Sequence, residues 1–217
     1  MSIISKIKSV FKSSQQPAKT AAPVKKATPA AEPAKKETAA PAAAVNPKEV
    51  ETLLTAIKER RTIYSLKPEL PAGVTLADIK DITQAILKDT PSAFNSQPNK
   101  VIILTGEAHK QAYGTILFIV DDDVTKGLQE GFPAWAAAFP DFAVTSNGAV
   151  QISTWTALSQ LPGFGAHLQH YNFLKGFLGD KIGENYTVQA QLVFGTKVAE
   201  AGEKTYNDHT IPVVTEL

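Results

Sequence analysis

Between residues 14 and 45 the chain carries one apolar side chain larger than alanine, Val24, before Val45; the rest is mostly Ala, Lys, Pro, Thr and Ser. Such a stretch cannot bury enough apolar surface to offset the entropy lost on ordering its backbone. A packed domain therefore has to be built from residues 46–217, and residues 1–45 read as a disordered tail, a linker stiffened locally by proline. Charge divides at the same place. Residues 1–45 hold eight Lys and two Glu, a net of +6, whereas 46–217 hold fourteen Lys or Arg and nineteen acids, a net of −5. The overall +1 is a basic tail cancelling an acidic domain.

The first residues form a pattern of their own. Ile3, Ile4, Ile7, Val10 and Phe11 follow helical spacing, Lys6, Lys8 and Lys12 lie between them, and no acid precedes Glu32. A basic amphipathic helix over residues 1–13 can make a weak contact with an anionic membrane surface. A mitochondrial transit peptide is the alternative, although those favour Arg and this segment has none; a tail that only solubilises is the third reading. A cytoplasmic location, extending to the nucleus, is otherwise expected. The Lys-rich tail lacks Arg and interleaved aromatics, so no specific nucleic-acid partner is expected. The absence of Cys excludes a disulfide framework and a thiolate nucleophile or metal ligand. No run reaches the roughly 18 apolar residues that a spanning helix needs, so a soluble protein is expected.

The domain starts with a helix signal: Asn46 as cap, Pro47 at the first helical position, and Glu49 placed to return a bond to the cap. Val50, Leu53, Leu54 and Ile57 form one apolar stripe, and the helix ends near Arg60. A second helix is expected over 76–87, with Ile79, Ile82 and Ile86 facing inward. Val101–Leu104 and Thr115–Val120 read as buried strands, and 188–194 as a third with alternating apolar residues. Helices are expected over 125–138, 147–160 and 166–177. A few strands among several helices make an α+β domain.

Three polar clusters could carry chemistry. Arg60 and Arg61 are the only arginines in the chain, and Thr62 follows them. Two planar forks of donors and a hydroxyl can hold a phosphate, although cations also suit any helix C-terminus. In the second cluster, residues 91–98, Asn95 and Gln97 stand among hydroxyls and prolines; amides that donate and accept suit a heterocycle, and a turn capping a sheet would look the same. The third, residues 163–172, contains G-x-G without the third Gly or the preceding strand of a dinucleotide fingerprint, so that reading fails. Its His167 and His170, spaced to share a helix face, have no carboxylate or Cys beside them, and no metal site is assigned. Asp121, Asp122 and Asp123 lack the pattern of a calcium loop and read as a solvated strand end. No nucleophile elbow and no Walker loop are present.

Taken in order, the stretches RRTIYSLKPELP, TPSAFNSQPNKVIILTGEAHK, AYGTILFIVDD, FPAWAAAF, NGAVQISTWTAL, GFGAHLQHYN and VQAQLVFG resemble the nitroreductase-like flavoprotein family. Its small fungal and bacterial subfamily, tied in fungi to fatty-acid and oxidative-stress responses, is the nearest in pattern. The resemblance implies a nitroreductase-like α+β fold, a mainly antiparallel central sheet flanked by helices. It also implies a homodimer with FMN at the interface, and an NADH- or NADPH-dependent oxidoreductase that reduces nitroaromatics, quinones or related small-molecule acceptors. Carried over by position, Arg60, Arg61 and Thr62 match the FMN-phosphate motif, and Asn95 and Gln97 the loop against the flavin. Leu168, Gln169, His170 and Tyr171 match the segment along the ring, and Lys204 a basic position near the phosphate. No catalytic side chain is implied, because the flavin carries the redox chemistry. The chain departs from the family in two places. His109-Lys110 run straight into Gln111-Ala112 where relatives carry a long helical insert, and the ending NDHTIPVVTEL lacks a basic residue common in relatives. The missing insert makes a catalytically degenerate regulatory or membrane-surface protein the alternative. The strands could still pair across the short Thr105–Gly114 connection, an acceptable hairpin length if they are antiparallel neighbours.

Overall fold

A computed structural model describes residues 46–106, 112–171 and 183–215. The tail and the C-terminal part of the helix expected over 166–177 lie outside the described residues.

The sheet is organised by two apolar strands that can be buried on both faces. β2 (Asn99–Thr105) and β3 (Gly114–Asp121) pair antiparallel, Asn99 opposite Val120 and Thr105 opposite Gly114, as the short connection allows. β5 (Tyr186–Lys197) lies antiparallel along the other edge of β3 and continues past it to pair with the two-residue β1 (Leu66–Lys67). β4 (Phe164–Gln169) pairs antiparallel with β5. Every strand pairing in the five-stranded sheet is antiparallel.

Side chains alternate between the faces. Ile116 and Phe118 of β3 join Ala190, Leu192 and Phe194 of β5 beneath α2 (Leu76–Asp89) and α4 (Phe139–Leu158), where Ile79, Val150, Trp155 and Leu158 complete the main core. Leu117 and Ile119 point the other way, towards Ile102, Leu104, Tyr186 and Val188. α4 is apolar around most of its circumference and buries eight of its residues, as a central helix must. It begins eight residues before the expected position, because Pro140 suits the first turn of a helix.

Glycine allows the sheet its closest approach. Gly165 and Gly195 are register partners on β4 and β5. A Cβ on Gly165 would meet Leu66 and Lys197, and one on Gly195 would overlap the Lys67 carbonyl oxygen. Gly163 holds a left-handed turn at φ +74°. The G-x-G of this segment thus serves backbone packing.

Three expectations need correction. Residues 166–169 are strand, not helix. Ala, His, Leu and Gln have no decisive strand preference, and a six-residue ladder with β5 overrides helical spacing. The helix expected over 125–138 is split: α3 (Asp122–Gly131) ends before Pro133, which has no N–H to continue the ladder, and a 3-10 turn (Pro133–Ala138) follows. Asp121 is a cap for α3, its carboxylate accepting the Asp123 N–H at 3.2 Å.

The third correction concerns α1 (Pro47–Glu59). Asn46 caps it by accepting the Lys48 N–H at 3.2 Å, without the reciprocal bond from Glu49. Its apolar stripe does not face the core: Val50, Leu53, Leu54 and Ile57 are 48–59% exposed. The complete capping box belongs to α2, where Thr75 and Asp78 bond reciprocally.

Candidate functional site

α1 terminates at Arg60, whose N–H still reaches the Ala56 carbonyl at 3.1 Å. The chain then runs extended along β4. The Ile63 N–H donates to the Ala166 carbonyl at 2.9 Å, His167 Nδ1 lies 3.2 Å from the Ile63 carbonyl, and the rings of Tyr64 and His167 are 5.0 Å apart. Arg60, Arg61 and Thr62 are thereby fixed where α1, α4 and β4 meet. The Arg60 guanidinium lies over the Trp155 ring, 4.2 Å from its centroid, and Arg61 Nη2 donates to the Gly202 carbonyl at 2.6 Å. That bond draws in the C-terminal segment, which carries Lys204 two residues later; the Lys204 ammonium is 5.0 Å from the Tyr206 ring.

The electrostatics of this corner are one-sided. Among the described residues no carboxylate forms an ion pair with Arg60 or Arg61. Burial, and secondarily the neighbouring Arg61 charge, hold the Arg60 pKa below the usual arginine value. Arg60 Nε is buried with no acceptor among the described residues. Native interiors rarely leave such a donor unfilled. Two adjacent cations with an unused donor and no ion pair among the described residues fit a multiply charged anion such as a phosphate monoester.

The third cluster shares β4 with this corner. Leu168 and Gln169 end the strand opposite Leu192 and Gln191, and the fully buried Gln191 accepts the Tyr171 N–H on its Oε1 at 2.8 Å. This pins the chain as it leaves the strand, with His170 and Tyr171 exposed. In the sequence Gln191 is only a polar residue alternating with the apolar positions of the 188–194 strand; its buried role depends on what crosses it.

The second cluster is built differently. Phe94, Asn95 and Gln97 adopt left-handed φ values of +53°, +51° and +51°. Conformations of this kind in non-glycine residues cost of order 1–3 kcal/mol and persist only where the surroundings hold them. Here Ser92 accepts the Asn95 N–H on its carbonyl and the Gln97 N–H on its Oγ, and the Asp121 N–H donates to the Pro98 carbonyl. Behind the loop, Ser146 Oγ donates to the Pro91 carbonyl and accepts from Asn99 Nδ2, both at 2.8 Å. Asn147 Nδ2 donates to Asn99 Oδ1 at 3.0 Å and to the Ile119 carbonyl at 3.3 Å, while Gln151 Nε2 donates to Asn147 Oδ1. This buried amide network was not read from sequence; its signal was Ser146, Asn147 and Gln151 interrupting an apolar helix.

The loop's bonds run to α4 and β3, not to the arginines. Ser146 and Trp155, its anchor and theirs, are nine residues apart on α4, about 14 Å along a helix axis. The structure therefore brings Arg60, Arg61 and Thr62 together with Leu168, Gln169, His170 and Tyr171, links Lys204 to them through Gly202, and holds Asn95 and Gln97 apart within one copy. Two surface clefts lie elsewhere. One of about 490 Å³ is lined by Asp121, Asp123, Glu184 and Tyr186, an environment that repels phosphate. The other, about 440 Å³, follows the α1 stripe through Val50 and Leu54.

An antiparallel sheet carrying helices, with an adjacent pair of arginines held beside β4, defines an α+β protein. The chain is 48% identical to HBN1, a nitroreductase-type protein of Saccharomyces cerevisiae, over 189 residues that take in 76% of this chain and 97% of the relative. It is 46% identical to the nitroreductase FRM2 of the same yeast, over 74% of this chain and 95% of the relative. The crystal structure of a Saccharomyces cerevisiae nitroreductase superposes with a TM-score of 0.63 at 46% identity, covering 68% of this chain and 96% of that one. The nitroreductase CinD of Lactococcus lactis, solved with nicotinic acid, superposes with a TM-score of 0.66 at 34% identity, covering 72% and 95%. No family model matches the chain. The chain belongs to the nitroreductase family and is an oxidoreductase of that fold. In the HBN1 alignment 76% of 217 residues is about 165, so about 24 of the 189 aligned positions have no residue here.

Proposed function

We propose that this protein binds FMN as a homodimer and transfers electrons from NADH or NADPH to nitroaromatics, quinones or related acceptors. The observation that carries the reading is the Arg60–Arg61 pair, which makes no ion pair among the described residues and whose Arg60 Nε has no acceptor among them, an arrangement that suits the FMN phosphate. A structural neighbour of the same fold, from Exiguobacterium sibiricum, was solved in complex with FMN; at 14% identity and a TM-score of 0.54 it supports the fold alone. The chemistry FMN supplies when bound is acceptance of a hydride and delivery of an electron pair. The protein's part is to hold the phosphate with Arg60, Arg61 and Thr62, with Lys204 contributing charge, and to line the ring with Leu168, Gln169, His170 and Tyr171.

Asn95 and Gln97 complete such a site most simply from a second copy, since within one copy they sit away from the arginines. The exposed α1 stripe supports a dimer. So does the C-terminal segment, where Ile211, Val213 and Val214 are 70–85% exposed. Apolar surface on this scale marks an association face.

Purified protein is expected to be yellow and to bleach anaerobically with NADH or NADPH. A colourless protein that takes up no added FMN overturns the reading. Arg60→Ala removes charge-assisted bonds worth about 1.5–3 kcal/mol each, and unchanged FMN retention would place the phosphate elsewhere.

The basic amphipathic pattern of residues 1–13 favours a second reading, a nitroreductase-fold protein without turnover that acts at a membrane surface. Flotation with anionic vesicles that depends on residues 1–13, in protein that binds flavin but turns over no acceptor, selects it.

A further inference from the structure

The two arginines are held by different devices. Arg61 is tied by a hydrogen bond to the Gly202 carbonyl. Arg60 has no such tie: its side chain makes no hydrogen bond or ion pair among the described residues, and its Nε is buried without an acceptor. What locates it is the face of Trp155, 4.2 Å below the guanidinium carbon.

Trp155 is a firm platform. It is 6% exposed and packs in the main core with Ile79, Phe118, Leu158 and Phe164. Its own Nε1 is buried without an acceptor, so the indole is oriented by packing and not by a hydrogen bond. Tryptophan is the best aromatic partner for a guanidinium, and stacking on the ring face leaves the edge of the fork available for an oxyanion. A carboxylate in the same place would fix Arg60 equally well but would neutralise it. The ring fixes it and keeps its charge, against the repulsion of Arg61 alongside.

We infer that Trp155 is a positioning residue for cofactor binding: its indole presents Arg60 to a phosphate, and so sets affinity for a phosphorylated flavin without affecting affinity for the same flavin lacking phosphate. The inference rests on the FMN reading above.

The test compares FMN with riboflavin on flavin-stripped full-length protein. In Trp155→Leu, FMN binding should weaken about tenfold, the scale of a partly desolvated cation–π contact, while riboflavin binding stays unchanged. Trp155→Phe, which keeps a ring face, should restore most of the FMN affinity. A purely structural role for Trp155 would weaken both flavins equally, and that result, or unchanged FMN binding in Trp155→Leu, overturns the inference.

A second measurement leaves the core intact. Trp135 and Trp155 are the only tryptophans, so Trp135→Phe makes Trp155 the sole indole fluorophore. Its emission should respond saturably to inorganic phosphate, and the response should vanish when Arg60→Ala is added. A flat phosphate response in protein that still binds FMN overturns the inference alone. Wild-type protein that binds neither flavin overturns the FMN reading and the inference with it.

Discussion

The sheet face beneath α4 and the stripe on α1 are both apolar and periodic, yet one is sealed and the other open. Ile116, Phe118, Leu192 and Phe194 are fully buried, whereas Leu53 and Leu54 are each 59% exposed. The difference is not in the side chains. β3 has a strand on each edge and helices on one face, so its apolar groups are covered within the chain. α1 meets the rest of the fold mainly at its C-terminal end, where Arg60 lies over Trp155, and its stripe points away. In the proposed dimer, an amphipathic helix in that position would supply half of an interface. The contrast between a covered face and an open one can be tested directly.

The largest effect is expected inside the sheet. Phe194→Ala should destabilise the fold by about 3–5 kcal/mol through lost burial and a residual cavity, read as a shift in the denaturant midpoint. A small loss there would mean that the face is less sealed than the structure shows. On α1, Leu54→Asp should weaken self-association by roughly 1.5–3 kcal/mol, about ten- to a hundredfold in dissociation constant, measured by sedimentation. The unfolding of the monomeric form should be unaffected. An unchanged dissociation constant, or a folding defect in its place, would assign the stripe to the interior of one copy.

Between these two regions lies the amide network behind the 91–98 loop. Asn147→Ala leaves Asn99 Oδ1 and Gln151 without their bonds and should cost about 1–3 kcal/mol. Because the network holds Pro91 through Ser146, proteolysis within residues 91–98 should accelerate more than the global loss accounts for. Equal acceleration elsewhere would show that the loop holds itself.

The smallest expected effect is at the start of α2. The Thr75 hydroxyl, and after it the Thr75 backbone N–H, donate to the Asp78 carboxylate and lower its pKa. A depressed folded-state value contributes stability that is complete above the ordinary aspartate range and is lost as pH falls towards the lowered value. Asp78→Asn should flatten that acid limb slightly in pH-dependent melting. An unchanged limb would leave the box without thermodynamic weight, as full exposure to solvent permits.

Much of the site was legible because it is composed of rare residues in fixed order: the sole arginine pair, the amides of the 91–98 loop and the segment after Gly163. What was not legible depends on contacts across the chain. Trp155 is an unremarkable apolar residue of a helix until Arg60 is laid over it. Gln191 is a polar residue of an alternating strand until Tyr171 bonds to it, and residues 166–169 follow helical spacing until β5 offers a ladder.

The amino-acid sequence by itself determined where the first helix starts, which runs become the strands β2, β3 and β5, and which cations stand together, since composition, period and adjacency are local properties of a chain. Only the tertiary structure decided that the α1 stripe faces outward, that β4 is a strand, and that Arg60 rests on an indole without an ion pair among the described residues. Periodicity declares that a face is apolar; what covers that face is decided by elements distant in sequence.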